Sequence, residues 1–141
     1  GGRLVRVLVG DLAFLHDLNA LLVPPGEVRP RLQVVVLNDD GGGIFSLLEQ
    51  GALAARGAAA AAAFERLFGT PHGADLAALC RGYGVPHTRA DSLDALHASL
   101  AEPPPGTSVV EVRALRGRRR ELDAHLREAV HAAARAALRL S

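Results

Sequence analysis

The sequence predicts an α/β domain, a doubly wound and mostly parallel sheet with helices on both faces. Three observations predict it. Short runs dense in Val and Leu, at 3–9, 32–37 and 108–114, have the length and β-branched content of buried strands. Stretches with leucines at helical spacing alternate with them. Parallel neighbours need long crossovers, and a helix is the usual one.

Residues 3–9 (RLVRVLV) are expected as a buried strand that ends at Gly10. Residues 11–22 carry Leu12, Leu15, Leu18, Leu21 and Leu22 as a helical stripe, and VPPGEVRP stops that helix in a surface loop. Residues 32–37 (LQVVVL) are a second buried strand. NDDGGG at 38–43 is a loop, because three successive glycines weaken any regular element. A helix is expected to start at Ile44. The alanine-rich stretch 52–63 has helix propensity but little apolar bulk, so a solvent-facing or mobile helix is expected. Helices follow at 75–83 and 92–100, with a short strand at 85–89 between them. Pro103-Pro104-Pro105-Gly106 precedes the strand at 108–114. An amphipathic helix closes the chain through Leu122, Leu126, Val130, Ala133, Ala137 and Leu140.

The 141 residues suit one domain, taken as 1–141, and 49% of them are hydrophobic. A net charge of +1 demands neither nucleic acid nor an anionic membrane as partner. One cysteine, Cys80, allows no internal disulfide, and no signal peptide or long apolar run is present, so a cytoplasmic setting is expected. The chain has no methionine and opens on Gly1-Gly2, so a C-terminal fragment of a longer chain is expected. Every basic residue is arginine. In this Ala- and Gly-rich background the only isoleucine, Ile44, and the only asparagines, Asn19 and Asn38, all fall between Gly10 and Leu48.

Right-handed crossovers place the loops after the first two strands on one edge of the sheet, where open α/β sheets bind ligands. Those loops offer Asp11, Asn38, Asp39 and Asp40 as hard oxygen donors, which suit Mg²⁺. Gly41, Gly42 and Gly43 allow close approach, and helix starts near Leu12 and Ile44 aim N–H groups at an anion. Three carboxylates repel a bare phosphate, so a diphosphate here needs a metal bridge. Taken singly, Asp11 reads equally as a helix N-cap and NDDGGG as a metal-free turn. The pairing is more specific: Gly10-Asp11 after one buried strand, twenty-six residues, then Asn38-Asp39 after the next.

Gly-Asp followed at this distance by Asn-Asn is the signature of thiamine diphosphate (ThDP) enzymes. GDLAFLHDLNALL (10–22), NDDGGGIFSLL (38–48) and FERLFGTPHG (64–73) together resemble the 2-succinyl-5-enolpyruvyl-6-hydroxy-3-cyclohexene-1-carboxylate (SEPHCHC) synthase family of menaquinone biosynthesis. The resemblance implies a ThDP- and Mg²⁺-binding domain, Mn²⁺ being the alternative ion. It implies Asp11, Asp39 and the carbonyl of Gly41 as metal ligands, and Gly10, Leu12, Ala13, Asn38 and Ile44 as further cofactor contacts. Ile44, Phe45 and Leu48 resemble residues that flank cofactor and substrate, with core packing as the competing reading. The family often has Asn where Asp39 stands; aspartate is a competent ligand, and Asn38 then holds the loop. The implied reaction decarboxylates 2-oxoglutarate and adds the succinyl-semialdehyde unit to isochorismate. The implied partner is a pyrimidine-binding domain, usually from a second subunit of a homodimer or homotetramer. That domain carries the activating glutamate; no catalytic residue is expected within 1–141, which alone should be inactive.

Rival readings are another ThDP carboligase such as an acetolactate synthase, a non-enzymatic Mg²⁺-binding module, and a domain that has lost its cofactor. Leu12, where many of the first group have Gly, and the absence of lysine count against the first two. His16 lies one turn after Asp11, as a packing or a polar residue. His72 belongs to the third block with no role assigned. His87, His97, His125 and His131 are expected at the surface, and Cys80 buried and inert. Arg113, Arg116, Arg118, Arg119 and Arg120 read as a solvated basic face.

Overall fold

The computed structural model describes residues 2–139. In chain order it contains β1 (Val5–Gly10), α1 (Asp11–His16), a 3-10 turn (Leu18–Leu21), β2 (Leu32–Asn38), a second 3-10 turn (Gly43–Leu47), α2 (Glu49–Ala54) and α3 (Ala58–Phe64). A π-turn (Glu65–Gly69), α4 (Leu76–Gly82), β3 (His87–Ala90), α5 (Leu93–Ala101), β4 (Thr107–Arg113), a short 3-10 turn (Arg116–Arg118) and α6 (Arg119–Arg139) complete it. Leu140, placed by its spacing on the last helix, lies outside the described residues. The chain divides into two compact units, Gly1–Gly41 with His72–Ala114, and Gly42–Pro71 with Leu115–Ser141.

The first unit holds the sheet. Four strands pair in parallel in the order β1-β2-β4-β3. Val34, Val36 and Val109 bury one face against Phe14, Leu21, Leu76, Cys80 and Val85, which come from α1, the turn after it and the α4 region. Side chains alternate across a strand, so Gln33 points to the other face. There its Nε2 donates to the Ser99 carbonyl of α5 at 2.7 Å. Helices therefore cover both faces, as expected. Asp75 caps α4 and Ser92 caps α5, each accepting the N–H three residues on, at 2.9 and 3.1 Å.

Two expectations in this unit need correction. The strand expected over 3–9 runs over Val5–Gly10, and it is not buried: Val5 is 54% exposed and Leu8 76%. Among the described residues β1 is an edge strand with β2 on one side only. The helix expected over 11–22 ends at His16, and a 3-10 turn follows. Tightening from 3.6 to 3.0 residues per turn redirects the stripe. Phe14 and Leu21 turn into the core, while Leu12 and Leu22 are left exposed.

Cys80 is fully buried on α4. Burial pushes its thiol up to about 11, and the Glu111 carboxylate adds to the shift. Because the folded-state value is the higher one, the associated stability is complete below the ordinary value of 9.0 and is lost as pH rises to about 11. Unfolding free energy should therefore fall across that window. A thiol reagent at about pH 8 should label Cys80 only after denaturant is added. Rapid labelling of the folded chain would contradict both statements.

The second unit is helical. The alanine-rich stretch is two short helices, α2 and α3, separated at Gly57, whose φ of 137° is open to glycine. Both are largely exposed, and Phe64 is the buried anchor, stacked on Phe68 at 5.8 Å. In α6 the stripe of Leu122, Leu126 and Val130 is exposed.

Candidate functional site

The carboxyl edges of β1 and β2 meet in register, Gly10 beside Leu37, so the segments that follow emerge together. Gly10 occupies the cap position of α1 and Asp11 is its first residue, with no side-chain cap bond. Asp11 is only 2% exposed. Its Oδ2 accepts the Gly41 N–H at 2.8 Å and faces His72 Nε2 at 3.1 Å, and its Oδ1 accepts the Leu12 N–H at 2.8 Å. The carboxylate thus joins two loops instead of capping a helix.

Asn38 is wholly buried at the end of β2. Its Oδ1 accepts the Asp40 N–H at 3.0 Å, and its Nδ2 donates to Glu111 Oε1 at 2.6 Å. This is an Asx turn anchored from behind by a buried carboxylate. It carries the chain into Asp40 at φ 61° and Gly41 at φ 132°. Asp40 Oδ1 then accepts the N–H groups of His72, at 3.2 Å, and Gly73, at 2.8 Å. Asp39 is buried beside them, 7% exposed.

Within the first unit the structure therefore gathers Gly10, Asp11, Leu12, Asn38, Asp39 and Gly41. Ala13 lies exposed on α1 and Leu12 is 40% exposed, its N–H already engaged by Asp11. The donor set tests well against a divalent cation. Two buried carboxylates and a backbone carbonyl are all oxygens, and the hydrogen-bond partners of Asp11 are two backbone amides and one imidazole, with no guanidinium. Among the described residues no group of three His, Cys, Asp or Glu side chains is arranged to hold a metal unaided.

Ile44, Phe45 and Leu48 belong to the second unit; the first two lie on a 3-10 turn where an α-helix start was expected, and Leu48 links that turn to α2. Ile44 is 61% exposed and Leu48 48%, so core packing does not account for them within this chain. Phe45 lies 5.7 Å from Phe68. Gly42 is fixed by close approach, since an added Cβ would overlap the Phe68 carbonyl and fall 2.9 Å from the Phe45 ring.

Two contacts at the candidate site are not legible in the sequence. His72 closes the ring through Asp11 and Asp40, and Glu111, the lone acid inside SVVEVRA, is buried against Asn38. His87, expected at the surface, is partly buried, and its Nε2 meets Glu111 Oε2 at 3.0 Å. Arg116 is not merely a solvated charge: it donates to the Gly69 carbonyl at 2.9 Å and pairs with Glu65 at 3.0 Å. Arg118 and Arg120 lie outside the described side chains. His16 is exposed and its Nδ1 meets Asp17 at 2.8 Å, which is a polar contact and not packing.

No family model matches the chain. Curated relatives do. The SEPHCHC synthase of Rhodococcus erythropolis is 56% identical over 128 residues, 90% of this chain and 22% of the relative. That of Nocardioides sp. is 52% identical over 85% of the chain, and that of Arthrobacter sp. 45% identical over 98%. The chain matches a segment of the SEPHCHC synthase family. It spans about a fifth of the length of these relatives. Among solved structures, benzoylformate decarboxylase from Polynucleobacter necessarius shares the fold, with a TM-score of 0.57 and 24% identity over 81% of the chain and 20% of that protein. The α/β class expected from the sequence stands on both the sheet and this likeness. Among the described residues no helix is long and apolar enough to cross a membrane.

Proposed function

We propose that the chain is the part of a SEPHCHC synthase that anchors the diphosphate of ThDP through Mg²⁺, in an enzyme of menaquinone biosynthesis joining 2-oxoglutarate to isochorismate with loss of CO₂. The observation that carries this reading is the bond from the Gly41 N–H to Asp11 Oδ2, which joins the two halves of the Gly-Asp and Asn-Asp signature. Asp11, Asp39 and the Gly41 carbonyl would hold the metal, with Asn38 shaping the loop. Two exposed apolar side chains, Ile44 and Leu48, suit contact with the cofactor or substrate. When bound, ThDP supplies the electron sink that lets a 2-oxo acid lose CO₂ and add to a second substrate. The chain's own residues bind and orient; the group that activates the aminopyrimidine is placed in another domain, from a second subunit of a homodimer or homotetramer. A cytoplasmic location accords with this role.

The test uses the full-length polypeptide with 2-oxoglutarate, ThDP and Mg²⁺. CO₂ release should require isochorismate as well as all three. Release that needs ThDP but ignores isochorismate would point to another ThDP enzyme. Release indifferent to ThDP would overturn the reading.

A further inference from the structure

We propose that His72 is a positioning residue for the cation site, holding the Asp11 carboxylate in its ligating orientation. This rests on the function proposed above. The His72 side chain is 12% exposed. Its Nδ1 lies 2.9 Å from the Ala74 N–H and 3.6 Å from Asp40 Oδ1, and the Ala74 contact is satisfied by the tautomer with its N–H on Nε2. That N–H is directed at Asp11 Oδ2, 3.1 Å away.

The ring is itself held. Asp40 Oδ1 accepts the backbone N–H groups of His72 and Gly73, and Gly73 takes a φ of 58°. The result is a closed circuit: Asp11 to the Gly41 amide, Asp40 to the His72 backbone, and the His72 ring back to Asp11. Two donors occupy Oδ2 of Asp11, while Oδ1 has one, from the adjacent residue. Two donors on one oxygen restrain the carboxylate's rotation, and Oδ1, which accepts the Leu12 N–H, keeps its second lone pair for the cation. Partners of this kind fix a metal ligand's orientation from behind.

Two substitutions separate the roles of the ring nitrogens. The His72→Asn amide reaches only as far as Nδ1, so it keeps the bond to Ala74 and loses Asp11. The His72→Gln amide reaches as far as Nε2, so it keeps a donor on Asp11. Mn²⁺ binding to the full-length protein, with ThDP present, is read from the electron paramagnetic resonance signal of the free ion. His72→Asn should weaken Mn²⁺ binding by about tenfold to a hundredfold. His72→Gln should stay within about threefold of the parent by the same reasoning. Thermal midpoints should remain similar. Parental affinity in His72→Asn, or equal losses in both variants, would overturn the proposal and leave the function intact. A parent protein that binds no Mn²⁺ would overturn the function and the proposal with it.

Discussion

Replacing Asp11 by alanine should abolish ThDP-dependent CO₂ release and weaken Mn²⁺ binding by more than about a hundredfold, beyond what loss of an outer partner causes. Asp11 is buried at the join of two loops, and its carboxylate is the acceptor for Leu12 N–H, Gly41 N–H and His72 Nε2. Alanine removes the proposed metal ligand and strands these donors, at about 1–3 kcal/mol for each that stays buried and unmet. Asp11→Asn separates the two effects. It keeps the volume and one acceptor oxygen but sets an amide N–H₂ where donors already point, so binding should fall with a smaller loss of stability. Circular dichroism and denaturant unfolding of both variants check the fold, and metal titration checks the site. Unchanged CO₂ release by Asp11→Ala at saturating ThDP would remove the site from the mechanism.

The strands were legible because Val-rich runs bounded by Gly and Pro carry their signal locally. Their burial was less so. Leu8 reads like Val36 in sequence, yet one stands on an edge and the other at the centre, and pairing partners distant in sequence decide which. Helix lengths failed for a related reason. A leucine stripe fixes a face but not the number of residues per turn, and the core drew Leu21 in by tightening the last turn to 3-10. The site was legible in part because Asp11 directly follows β1 and Asn38 ends β2, so the parallel register alone brings them together. Glu111 and His87 meet from strands that are neighbours in the sheet, and no spacing rule announces that.

Glu111→Ala should damage the same site from behind, without removing any proposed ligand. Glu111 lies in β4, 6% exposed, with Oε1 accepting from Asn38 Nδ2 at 2.6 Å and Oε2 meeting His87 Nε2 at 3.0 Å. Asn38 is wholly buried and the His87 side chain is 9% exposed. Leaving two such groups unmet costs on the order of 2–4 kcal/mol, which denaturant unfolding of the full-length protein would measure. The site should feel it because Asn38 makes the turn that sets Asp40 and Gly41 in their left-handed conformations. With the amide of Asn38 released, that turn is no longer fixed and Mn²⁺ affinity should drop along with stability. Glu111→Gln keeps one acceptor and can still satisfy Asn38 if its oxygen faces that way, leaving its N–H₂ towards His87. It should therefore retain most of the metal affinity while losing part of the stability. Metal binding untouched in Glu111→Ala, at a lowered unfolding free energy, would mean that the loop holds its shape without Asn38. The Asx turn would then serve the core and not the cation.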